Sequence, residues 1–199
     1  MALEDELRDQ LVTLVNARCI DPLEVLLQDT ETLAPIRSLV HARAEAWARD
    51  MVHARDDTAV DLIMRLVATL YPSDEPFDPP ASWWRTPMGQ VTAWRVGHPT
   101  AERVSYPVAG AMLGISRQGV HDLIRRGKLV RHPDGGVTPG SIRDRLRRTR
   151  KQVSGIAAQQ PGNPRSEPAG TAIGEGRTDH RPGNRRGSPA DARRAADPR

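Results

Sequence analysis

Gly110-Ala111-Met112-Leu113-Gly114-Ile115-Ser116-Arg117-Gln118-Gly119-Val120-His121-Asp122-Leu123-Ile124-Arg125-Arg126-Gly127 reads as two short helices closed by a tight turn. The first helix starts at Ser105, whose hydroxyl can accept from an orphan backbone N–H, with Pro107 in its first turn. Gly114 stops it, because a residue without Cβ enters the left-handed region cheaply. Ile115 turns inward, Ser116 caps the second helix, and Gly127 ends that helix after about three turns. Close crossing of the two helices needs a small side chain, which Gly110 supplies, and an apolar inner face, which Val120, Leu123 and Ile124 supply. Arg117, Gln118, His121, Asp122 and Arg125 then share one outward face at helical spacing.

Downstream, Arg131-His132-Pro133-Asp134-Gly135-Gly136-Val137 carries the turn residues of a hairpin. Thr138 is placed to cap a last helix with Pro139 at its first position. The segment from Val104 to Arg150 thereby resembles the small winged helix-turn-helix domain of the MerR and excisionase-like families. The shared signature is a small residue, then Leu113-Gly114-Ile115-Ser116, then a helix running into Arg125-Arg126-Gly127-Lys128-Leu129. The resemblance covers roughly a quarter of the chain. It implies a duplex-DNA partner, with the N-terminal part of the second helix in the major groove. In MerR regulators this domain opens the chain and leads into a long dimerising helix. Here about a hundred residues precede it and no long heptad pattern follows, so metal or drug sensing is not implied.

Roles follow from the chemistry of each side chain. Arg117 and Gln118, at the start of the helix, are placed for base edges, Arg favouring guanine and Gln adenine. His121 and Arg125 lie one and two turns on. Asp122 either accepts from a cytosine amine or orients a neighbouring Arg. Ser116, Arg126, Lys128 and Arg131 suit phosphates, which fix register without reading sequence, and His132 at the wing is placed for the flanking strand or the minor groove.

The charge distribution points the same way. Residues 1–70 carry a net charge of −6, residues 104–150 a net of +7, and residues 151–199 a net of +4. A basic footprint on the two-helix unit and the tail is what contact with a polyanion requires. Arg143, Arg145, Arg147 and Arg148 add a second basic surface on the last helix. Only two of the 29 basic residues, Lys128 and Lys151, are lysines. With the abundant Ala, Gly and Pro, that bias fits a GC-rich bacterial genome.

The fold class expected is mostly α: an N-terminal helical bundle, a small winged helix-turn-helix domain and a disordered tail. Residues 1–71 form the acidic bundle. Leu3, Leu7, Leu11 and Leu14 share one helix face, and Asp21-Pro22-Leu23-Glu24 starts a second helix that also carries Leu26 and Leu27. Leu33, Ile36, Val40, Ala44, Trp47 and Met51 step by three and four from about Thr32, and Val60, Ile63, Met64, Val67 and Leu70 follow Thr58. These stripes must bury against one another or against a second copy. Residues 72–85 form a proline-rich linker. Residues 86–150 form the DNA-binding domain, opened by a helix at Thr86-Pro87 that bears Met88, Val91 and Trp94. Trp83 and Trp84 read as core or interface anchors rather than a base-stacking platform. Residues 151–199, rich in Gly, Pro and Arg, bury too little to offset ordering entropy.

Neither a phosphate loop nor a nucleophile elbow is present, and the six histidines (His41, His53, His98, His121, His132, His180) form no pair at ligand spacing. No enzyme activity, metal or cofactor is expected. The lone Cys19, the absence of a long apolar run and the acidic start Met1-Ala2-Leu3-Glu4-Asp5-Glu6 suit a cytoplasmic, nucleoid-associated protein without a membrane partner. The expected function is sequence-specific DNA binding by a bacterial transcriptional regulator. Its N-terminal helices would serve a homodimer or a protein partner. Two other readings stay open: an excisionase-like or partition-type architectural factor that bends tandem sites, and an adaptor whose two-helix unit holds a protein.

Overall fold

The computed structural model describes residues 3–158. They are mostly helical, with two isolated antiparallel bridges and no strand among the described residues. Helix α1 (Leu3–Val15) buries Leu7, Leu11 and Val15, the register expected except that Val15 replaces Leu14 at its end. A π-helical turn (Asn16–Ile20) leads into α2 (Asp21–Leu27), where Pro22 sits in the first turn. Gln28, at φ 52°, ends α2, and Asp29 caps α3 (Thr30–His53) through Oδ1, which accepts from Thr32 N at 3.0 Å. Helix α4 (Asp56–Leu70) begins two residues before Thr58 and buries Ala59, Leu62, Ile63, Leu66, Val67 and Leu70.

Three of these helices pack as the expected bundle, α1 on α3 and α3 on α4. The fourth does not. Helix α2 buries none of its residues, so of the two expected destinations for its stripe, the other helices of the bundle are excluded and a second copy is left. A seven-residue helix is too short to reach over the others, and its Glu24 and Asp21 are drawn instead to Arg37 on α3.

The segment 72–85 lacks regular structure until a 3₁₀ turn (Trp83–Arg85). It is nonetheless packed, and the expected linker is part of the core. Trp84 is fully buried, and Trp83 is buried with its indole N–H donating to Tyr71 Oη at 2.8 Å. Phe77 meets Tyr71 and Trp83 with ring centroids 5.3 and 5.1 Å apart. His98 lies over Trp84, and burial pushes its imidazole below the ordinary value. Helix α5 (Pro87–Arg95), capped by Thr86 Oγ1 accepting from Gly89 N, then buries Met88 and Val91 against α1 and α8. One core therefore runs from Leu7 through Trp84 and Val91 to Val120 and Ile142, and the expected domain boundaries at 72 and 86 fall inside a single compact unit.

Three arginines tie that unit together by closing helix C-termini, where backbone carbonyls lack partners and the dipole is negative. Arg18 Nη1 donates to Leu70 O at 2.8 Å, at the end of α4. Arg95 Nε and Nη2 donate to Met51 O and Val52 O at 2.9 and 2.6 Å, at the end of α3. Arg147 Nε and Nη2 donate to Trp94 O and Arg95 O at 3.0 and 2.8 Å, at the end of α5. Asp56 accepts from both Arg95 and Arg147 at 2.7 and 3.0 Å, and these partners, Arg95 first, hold its carboxyl below the ordinary carboxylate value.

Helix α6 (Tyr106–Leu113), α7 (Arg117–Arg125) and α8 (Pro139–Ala158) complete the chain as described. Helix α8 continues eight residues beyond Arg150, which corrects the expectation that disorder begins at Lys151. No proline interrupts residues 140–160, and Lys151, Gln152, Ala157 and Ala158 are good helix formers. The rest of the expected tail lies outside the described residues. Among the described residues no helix is long and apolar enough to cross a membrane.

Candidate nucleic-acid interface

Local hydrogen bonding builds the α6–α7 pair as its sequence dictates. Ser105 Oγ accepts from Val108 N at 3.4 Å and Ser116 Oγ from Gly119 N at 3.2 Å, so both helices are side-chain capped. Between them Gly114 takes φ 67° and Ile115 N donates back to Gly110 O at 2.9 Å. The two helices approach closely at Gly110, where a Cβ would stand 2.8 Å from Ile115 O and 3.7 Å from Val120 Cγ2. Val120 is fully buried there, and Leu123 and Ile124 are half-buried against the same core.

The opposite face of α7 is open. Arg117, Gln118, His121 and Arg125 are exposed and Asp122 is half-buried. Arg125 Nη2 donates to Asp122 Oδ1 at 3.1 Å, which favours the orienting role for Asp122 over the base-reading one. The His121 ring lies 4.5 Å from the ring of Tyr106, centroid to centroid, so its position is fixed by α6. Arg126, Lys128 and Arg131 are exposed around the end of α7.

The segment after α7 is a tight loop with bridges from Val137 to both Val104 and Arg131, short of a two-stranded wing. His132 lies in the loop where the wing was expected. Its side chain is only 17% exposed, and Nδ1 accepts from Asp134 N at 3.2 Å, so it forms the turn itself. Thr138 stands before α8 as expected; its hydroxyl donates to Val130 O at 3.3 Å, and its carbonyl accepts from Ser141 N at 3.1 Å. On α8 the basic surface is smaller than expected. Arg147 is turned inward onto Asp56 and the end of α5, and Arg143 pairs with its neighbour Asp144.

One cation was not legible as part of the site. Arg103 is exposed, donates from Nη1 to Asp134 O at 2.9 Å, and lines with Arg117, Tyr106 and Gly136 a cleft of about 630 Å³. It precedes the capped helix by three residues and belongs to no periodic face, so only the folded loop brings it beside Arg117. Among the described residues no group of three or more His, Cys, Asp or Glu side chains converges as a metal site. No protein family, curated protein or solved structure matches the chain.

Proposed function

We propose that the protein binds DNA sequence-specifically, as a bacterial transcriptional regulator whose helix-turn-helix resembles that of the MerR and excisionase-like families, with a tight loop in place of their wing. The observation that carries this reading is the division of α7. Val120 is sealed against α6 while Arg117, Gln118, His121 and Arg125 are exposed on the opposite face. A solvated helix surface would need no such fixed frame of caps and close crossing, with Tyr106 packed beside His121. The net +7 of residues 104–150 supplies the attraction for a polyanion.

Arg117 and Gln118 read base edges, with His121 and Arg125 further along the groove. Ser116, Arg126, Lys128, Arg131 and Arg103 hold phosphates, the hydroxyl of Ser116 keeping its proton free for donation while its oxygen caps α7. Selection of bound duplexes from a random pool by the full chain supplies the site. On that site Arg117→Ala costs about 1–3 kcal/mol and relaxes discrimination at one base pair, whereas Lys128→Ala weakens all duplexes alike and lowers the salt slope by about one. Gel-shift titrations at several salt concentrations check both. Selection that enriches no sequence, or affinities unmoved by both changes, would overturn the reading.

A further inference from the structure

Helix α2 presents an anomaly that nothing in its own chain resolves. Leu23, Val25, Leu26 and Leu27 are 43%, 75%, 77% and 60% exposed, and Ile36 and Leu39 of the adjoining α3 are 41% and 57% exposed. Six of the eight exposed large apolar residues among those described thus fall between positions 23 and 39. A seven-residue helix has no stability of its own in water, so aliphatic side chains facing outward on it indicate a surface that is covered in use.

The corner's charges narrow what covers it. Arg37 pairs with Asp21 at 2.8 Å and with Glu24, Glu24 also accepts from Thr30 Oγ1 at 2.7 Å, and Asp29 accepts from Thr32. Although residues 1–70 carry a net −6, the acids at this corner are engaged internally, with Glu31 the exception. A strongly basic partner finds little to hold there, while an identical corner meets little like-charge repulsion. The chain's own C-terminal residues 159–199 are unsuited, since Ile173 is their one large apolar side chain.

We propose that α2 and the first turns of α3 form the isologous contact of a homodimer, the corner of one copy covering that of the other. The proposal stands on the chemistry of the corner and not on the DNA reading. If both hold, two α7 helices are brought to one duplex.

Sedimentation velocity and light scattering of the full chain, up to ~100 μM, test it. The wild type is expected at twice 21.9 kDa. Leu26→Asp is expected to yield the monomer with an unchanged circular dichroism spectrum, because Leu26 supports no core. Met64→Asp, at an exposed apolar site on α4, leaves the dimer intact. A wild type that stays monomeric overturns the proposal, as does a dimer that survives Val25→Asp and Leu26→Asp together, or a monomer whose corner takes up a different protein. Arg117→Ala leaves the mass unchanged, so failure of the DNA reading and failure of the dimer are separately visible.

Discussion

Gly110 and Gly119 look alike in sequence, both inside helices of the same pair, yet their surroundings set opposite consequences for a methyl group. Alanine inside a helix gains about 0.8–1 kcal/mol over glycine. At Gly119 the nearest obstacle to a Cβ is the Ile115 side chain, Cδ1 at 3.3 Å, which can turn aside. At Gly110 it is the carbonyl oxygen of Ile115 at 2.8 Å, and backbone cannot yield without parting α6 from α7. Overpacking of that kind costs about 1–3 kcal/mol, so it exceeds the propensity gain. Gly119→Ala is expected to leave stability within about 0.5 kcal/mol of wild type or above it, and Gly110→Ala to lower it by up to about 2 kcal/mol net. Urea denaturation of the three proteins decides, and equal midpoints would mean that the crossing is not close in solution.

At the scale of elements, what was readable depended on how far along the chain the deciding contact lay. The caps at Ser105, Ser116 and Thr86 were legible because donor and acceptor are three residues apart. The buried stripes of α1, α3 and α4 were legible from periodicity except at Ile36 and Met64, which are exposed, though not which helix each would meet. The arginine closures were not legible, since Arg18, Arg95 and Arg147 reach carbonyls 43 to 53 residues away and in sequence look like surface charge. For Arg147 that led to its assignment to a basic face it does not join. These closures also carry a prediction. Arg95 is 6% exposed, so Arg95→Met leaves two carbonyls at the end of α3 unpaired and Asp56 with one partner fewer. Each orphaned buried acceptor costs about 1–3 kcal/mol. A loss of about 3 kcal/mol overall lowers the melting temperature by roughly 6–12 °C in a protein of this size. A change of under about 2 °C would show that the arginine closes nothing.

At the scale of the whole molecule, the question is whether the N-terminal helices and α6–α8 can move apart. Proline-rich composition from Pro72 to Pro80 suggested a tether, because the pattern records missing N–H groups and not the aromatic rings interspersed among them. Phe77, Trp83 and Trp84 instead seat this segment in the core, and α5 links α1 to α8. Arg95, Arg147 and Asp56 lock the same seam from the opposite side of the sequence. Contacts of this extent make separate unfolding of either half unfavourable, since each would expose the other's core. Thermal unfolding followed by tryptophan fluorescence and by far-ultraviolet circular dichroism is therefore expected to give one coincident transition. Limited proteolysis between Ser73 and Asp78 is not expected to release two folded pieces. Two separated midpoints, or a stable fragment beginning near Thr86, would restore the tether. A fixed seam also bears on recognition: copies joined at α2 would hold their α7 helices at one separation, so selected duplexes should carry half-sites at a single spacing rather than a range.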